Sequence, residues 1–179
     1  MEAAIICAQL YNLAIMKRLL MVRHAKSDWA DLSLKDFDRP LNKRGKENAP
    51  VMGKRLRDRH YYVDLILSSS SKRTKGTTKR IAKEIGYEEK KVVWLDELYH
   101  ANTNKIKQAI YGINDKHDSV MVVCHNTGIT DFVNSFCGYI TDNLPTCGMV
   151  AFQFDTDSWN KIDTAASKLI FFDYPRSRE

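Results

Sequence analysis

Three short apolar runs in this chain each lead into residues suited to phosphoryl chemistry. Leu19-Leu20-Met21-Val22 ends on Arg23 and His24, Leu65-Ile66-Leu67 precedes Arg73, and Val120-Met121-Val122-Val123-Cys124 ends on His125. A guanidinium presents a planar fork of donors that suits a phosphate, and a neutral imidazole is a nucleophile or a base. Apolar runs this short read as strands buried on both faces. The carboxyl ends of parallel strands share one rim, where ligands of open α/β sheets bind. There the two arginines would neutralise a phosphoryl group and the charge developing on it. One histidine would attack phosphorus in line while the other bonds an equatorial oxygen. No Asp/Glu cluster for magnesium stands beside these strand ends, so neither a metal nor another cofactor is expected. Neighbours on an extended strand point to opposite faces, so Arg23 and His24 serve one pocket only where the strand has ended. The same divergence rules out Cys124 and His125 as a nucleophile–base pair.

Several further elements must position these groups. The polar segment from Lys26 to Leu41 reads as a long loop of the kind that carries function. Asn42 caps a helix predicted over 43–58 with Val51, Met52 and Leu56 towards the core, and Pro50 and Gly53 predict a kink or restart near 49. A strand over 63–67 leads through four serines to a helix over 72–85, stopped by Gly86. Arg73 in that helix's first turn opposes the helix dipole, and anion binding by the guanidinium and the exposed amides gives its placement a reason. A strand is predicted over 91–94, a helix over 104–111, a strand over 119–124, and a helix from the Asn126-Thr127-Gly128 turn to about Phe136. Strands over 148–155 and 168–173 flank a polar loop around Trp159. Alternating strands and helices indicate an α/β fold with a mainly parallel sheet, and the last two strands an antiparallel edge.

At 179 residues the chain is most simply one domain. Its net charge of +6 and pI near 9.1 favour anionic partners. The basic block Lys72, Arg73, Lys75, Lys79, Arg80 and Lys83 reads as a solvated helical face, and nucleic acid is not the expected partner. Cys7, Cys124, Cys137 and Cys147 form no C-x-x-C pair and no zinc spacing, which points to reduced thiols in a cytoplasmic protein. Residues 1–15 are apolar but too short for a membrane helix and lack a basic n-region. They are expected to be a non-catalytic extension ahead of a single domain over 16–179, with no membrane association.

Arg23-His24-Ala25 resembles the R-H-G/A signature of the histidine phosphatase superfamily. Ser69 to Thr77, with Arg73 and Thr77, is similar to its S-x-x-x-R-x-x-x-T segment, and Cys124-His125-Asn126 to its second histidine after an apolar strand. Asp38-Arg39-Pro40-Leu41-Asn42-Lys43-Arg44-Gly45 resembles the D-R-P-L-x-x-R-G stretch of the SixA-like phosphohistidine phosphatases, as do Leu98-Tyr99-His100-Ala101 and the region from Trp159 to Pro175. Thr127, where many relatives have proline, and Gly76 depart from the pattern. The resemblance implies a three-layer α/β/α sandwich of the phosphoglycerate mutase-like type. It makes His24 the transiently phosphorylated nucleophile and Arg23, Arg73 and His125 the phosphate pocket, with Arg39 and Asn126 binding substrate. Larger members use an acidic proton donor, for which Glu97 is the nearest candidate by position.

The expected function is metal-independent hydrolysis of phosphohistidine on a protein partner, a phosphocarrier or phosphotransfer domain. Little chain separates Arg73 from His125 to build a lid over a small metabolite, and an open site suits a side chain protruding from another protein. Two alternatives stand beside it: a small-molecule phosphomonoesterase using the same residues, and a non-catalytic module binding phosphate or nucleic acid.

Overall fold

A computed structural model describes residues 16–177; the segment 1–15 read above as an extension lies outside them. Six strands form one sheet in the order β3-β2-β4-β1-β5-β6: β1 Lys17–Arg23, β2 Leu65–Ser69, β3 Val93–Leu95, β4 Ser119–Cys124, β5 Met149–Phe154 and β6 Ser167–Asp173. The first four run parallel, while β5 is antiparallel to β1 and β6 to β5. Four helices cover the two faces: α1 Lys43–Asp58, α2 Lys72–Glu84, α3 Thr103–Tyr111 and α4 Gly128–Cys137. The architecture is the α/β sandwich expected, with its antiparallel edge.

Side-chain alternation on the two central strands builds both cores. Leu19 and Met21 of β1, with Val120 and Val122 of β4, pack with Phe132 and Val133 of α4 and Ile106 of α3. Leu20 and Val22, with Met121 and Val123, pack with Met52 and Leu56 of α1 and Ile81 of α2. Both faces are covered, which is why these strands read as unbroken apolar runs. No helix among the described residues is long and apolar enough to cross a membrane.

The structure corrects several local expectations. Helix α1 continues through Pro50 without a restart. Its buried face is Gly45, Ala49, Met52, Gly53 and Leu56, at helical spacing. Val51 falls off that face and is exposed. Strand β2 begins later than predicted and extends into the serines, because Ser68 and Ser69 pair with Trp94 and Leu95. The loop around Trp159 is not simply polar: that indole is fully buried and its Nε1 donates to the His117 carbonyl at 2.8 Å. His117 is itself half-buried.

The start of α1 is locked to the chain just past β1. Asn42 N–H donates to the Lys26 carbonyl at 3.0 Å, and the Asn42 side chain accepts from Gly45 N–H. A Cβ on Gly45 would lie 2.2 Å from the Lys26 carbonyl oxygen, so backbone would have to move. Gly45→Ala is therefore expected to cost roughly 1–3 kcal/mol by overpacking, read as a lowered urea midpoint. An unchanged midpoint would show that this contact relaxes freely.

Candidate active site

Parallel pairing of β1 with β4 aligns Arg23 with Cys124, so the next residue of each strand, His24 and His125, emerges at one rim. His24 N–H donates to the Cys124 carbonyl at 3.1 Å, and the two imidazole centroids lie 5.0 Å apart. Thr77 holds the turn that follows. Its hydroxyl accepts from Ala25 N–H at 2.9 Å and donates to the Arg73 carbonyl at 2.8 Å, tying α2 to the residue after His24. This is a physical reason for an R-x-x-x-T spacing, one helical turn that carries arginine to the site and threonine to its backbone.

Arg73 is the hub. It is 2% exposed, and its single guanidinium reaches both histidines. Nε donates to His24 Nε2 at 3.3 Å and Nη2 to His125 Nδ1 at 3.2 Å, while Nη1 and Nη2 also bind the backbone carbonyl and carboxylate of Asp36. These bonds fix the tautomers. His24 Nδ1 lies 2.8 Å from the Ala25 carbonyl, which only accepts, so Nδ1 carries the proton and Nε2 presents its lone pair. His125 accepts on Nδ1 and donates from Nε2 to Ser69 Oγ at 3.0 Å.

Both imidazoles are held neutral. Burial first, then the Arg73, Arg23 and Arg39 guanidiniums, push the His24 pKa down to about 3 against the bond to Ala25. For His125 burial, His24, Arg73 and His100 bring it down to about 2. Burial outweighs the guanidiniums as the cause. An unfolded histidine titrates near pH 6.5, so below that pH the unfolded chain takes up protons that the fold refuses. Stability is thus present above about pH 6.5 and lost as pH falls towards 3, each group contributing at most about 1.4 kcal/mol per pH unit. Urea midpoints between pH 6.5 and 5, above the carboxylate range, are expected to fall with acid and to fall less steeply in His24→Asn. Equal slopes for the two proteins would contradict this.

The cleft, about 320 Å³, is lined by His24, His125 and Arg73 together with Arg23, Arg39 and Asn126. Arg23 is anchored by Nη1 on Asn143 Oδ1 at 2.8 Å and on the Leu144 carbonyl, and Asn143 Oδ1 also accepts from Asn126 Nδ2. Arg39 is buried, bonds the Asp36 carboxylate, and lies 3.4 Å from the ring centroid of Trp29. Its Nε and Nη1, and Nε of Arg23, are buried without a protein partner. Buried guanidinium donors left unpaired are costly, and an oxyanion would satisfy them. Of the residues at the start of α2, Arg73 lines the cleft, while Ser71 and Thr74 are buried.

Glu97 is not brought to the cleft; it is exposed on the short 3-10 turn Asp96–Leu98. The carboxylate at the site is Asp36, in sequence one of several acids of the polar segment from Lys26 to Leu41. It accepts from Arg73, Arg39 and Tyr99 Oη, and pairs with His100 Nε2 at 3.1 Å. Burial would raise its pKa, but the bonds from Tyr99 and Arg73 hold it below the usual carboxylate range. The sequence alone assigns no role to Asp36, Tyr99, Ser69 or Asn143, although Ser69 opens the S-x-x-x-R-x-x-x-T segment, Tyr99 lies in the Leu98-Tyr99-His100-Ala101 stretch, and the D-R-P-L stretch begins two residues after Asp36. No group of three or more His, Cys, Asp or Glu among the described residues is placed to hold a metal ion.

A mainly parallel α/β sheet with two histidines and three arginines at one rim defines a phosphatase-type site, and comparison with known proteins gives the same class. The model of the histidine phosphatase superfamily (branch 1) matches residues 19–102. A chloroplastic protein of Arabidopsis thaliana is 31% identical over 156 residues, 83% of this chain and 71% of that one. A protein of Mycobacterium leprae is 25% identical over 167 residues, 87% of this chain and all of its own. Among solved structures, one provisionally named phosphohistidine phosphatase SixA from Agrobacterium tumefaciens is 29% identical with a TM-score of 0.76, covering 89% of this chain and 98% of that one. The protein histidine phosphatase SixA complexed with tungstate shares the fold, with a TM-score of 0.74 at 17% identity over 88% of this chain and 97% of that one. The chain belongs to the histidine phosphatase superfamily.

Proposed function

We propose that this protein is a metal-independent phosphatase that removes phosphate from phosphohistidine on a partner protein through a phosphorylated His24. The observation that carries this reading is the fixed tautomer of a neutral His24, whose Nε2 lone pair faces an arginine-lined cleft. Nε2 attacks phosphorus as the P–N bond of the substrate breaks; the substrate ring, protonated on its other nitrogen, leaves as neutral imidazole, and the Nδ1 proton of His24 stays on the phosphorylated ring. Water then attacks the phosphorus on His24, releasing phosphate and restoring the imidazole. Arg73, Arg23 and Arg39 take up charge on the equatorial oxygens.

The choice of phosphohistidine over an ester rests on the leaving group. Imidazole leaves with little proton assistance because its conjugate acid has a pKa of about 6.5, whereas an alkoxide needs a general acid. Glu97 stands outside the cleft, and Asp36 is held ionised by its donors. The likeness to a SixA structure holding tungstate, a tetrahedral oxyanion like phosphate, supports the same reading. Phosphate release should be measured with a phosphohistidine carrier protein and an alkyl phosphomonoester side by side. The expected kcat/KM ratio favours the carrier by about 100-fold or more, and a preference for the ester would assign the small-molecule reaction instead.

A further inference from the structure

The catalytic cleft opens into a second, larger one of about 470 Å³ that the reaction leaves unused. Arg23, Lys26 and Thr146 line both, so the two form one continuous surface. Beyond them the second cleft is bounded by Arg44 and Asn48 of α1, by Pro145, and by the turn Tyr174-Pro175-Arg176 after β6. Four cations face it and no acidic side chain does. Lys26, Arg44 and Arg176 make no ion pair among the described residues.

Two features indicate that this charge is built for a partner. The first turn of α1 carries Lys43 and Arg44 and no acidic residue, against the preference of the helix dipole. Arg44 and Asn48, one helical turn apart, share the face that borders the cleft. The far wall is also anchored. Asp173 is 3% exposed, accepts from Arg55 Nη1 at 2.8 Å and from Arg59 Nη1, and is bonded by Ser177 Oγ. That clamp brackets the Tyr174–Arg176 turn on both sides. Tyr174, Pro175 and Pro145 give the cleft apolar walls between its charges.

Resting on the phosphohistidine reading, we propose that this second cleft docks an acidic segment of the substrate protein beside its phosphohistidine. The segment's Asp or Glu carboxylates pair with Arg44, Arg176 and Lys26, and its apolar side chains lie on Tyr174 and Pro175, while the phosphohistidine reaches His24. A polypeptide is favoured over a small molecule with two phosphates. The cations are spread over three elements around a long, partly apolar surface instead of being gathered at one point. The net charge of +6 favours an acidic partner.

The test uses two phosphohistidine peptides of equal length, one flanked by Asp and Glu and one with Asn and Gln in their place. Each is assayed with the wild-type protein and with Arg44→Glu/Arg176→Glu, both exposed positions. The wild-type protein is expected to favour the acidic peptide by about tenfold in kcat/KM, through KM, with the advantage shrinking as salt screens the pairs. The double variant is expected to lose that preference. Equal turnover of both peptides by the wild-type protein, or a preference that survives charge reversal, overturns the docking site and leaves the catalytic reading intact. If neither peptide is hydrolysed, the catalytic reading fails. Fluorescence anisotropy of the labelled, unphosphorylated acidic peptide then decides docking: binding lost in the double variant sustains it, and no binding refutes it. Dependence on Arg44 and Arg176 seen only with a small bisphosphate also overturns the proposal.

Discussion

Replacing His24 with alanine is expected to lower phosphate release from a phosphohistidine carrier by about 10⁴-fold or more, as loss of a nucleophile does. The size of the effect follows from how the ring is held. Its Nδ1 proton is committed to the Ala25 carbonyl, so Nε2, which exchanges its bond from Arg73 Nε for the phosphorus, is the ring atom that attacks. Burial to 8% exposure keeps that atom unprotonated throughout the physiological range. His125 does not present the same atom: its Nε2 is bound to Ser69, and its Nδ1 accepts from Arg73 Nη2. The same experiment separates covalent from direct hydrolysis. Rapid quenching of the wild-type protein with labelled substrate should trap an acid-labile, base-stable phosphoryl group, and His24→Ala should trap none. Turnover in the variant within about tenfold of wild type would rule out the covalent route.

The parts of the molecule legible in the sequence are those whose signal is local. β1 and β4 stand out because burial on both faces leaves no polar residue within Leu19–Val22 or Val120–Cys124. The start of α1 is visible because Asn42 caps it through its own side chain. What failed to show depends on contacts between distant segments. Pro50 suggests a break by propensity, yet α1 continues because its small-residue face packs closely on α2, where a Cβ on Gly53 would meet the Glu84 side chain at 2.8 Å. Asp36 looks like one loop acid among several until the fold brings Arg73, Tyr99 and His100 to it from 37, 63 and 64 residues away. Glu97 was the natural acid candidate by position, but the 3-10 turn that carries it directs the chain so that His100, three residues on, borders the cleft instead.

Arg73→Lys is expected to lower kcat by about 10²–10³-fold while changing KM far less. Lysine preserves the positive charge, so the experiment isolates what the fork itself contributes. The guanidinium spans His24 Nε2, His125 Nδ1 and both the carbonyl and carboxylate of Asp36, four acceptors that an ammonium with three N–H donors cannot serve at once. Losing the fork frees the His24 ring from its alignment and leaves the equatorial oxygens of the transition state with fewer fixed donors. Because burial is the first cause of the low His24 pKa, the variant should keep the wild-type shape of the pH–rate profile and lose only its height. A profile shifted bodily along the pH axis would instead make the guanidinium's field, and not its geometry, the main contribution of Arg73. A kcat within about fivefold of wild type would remove Arg73 from the centre of the mechanism.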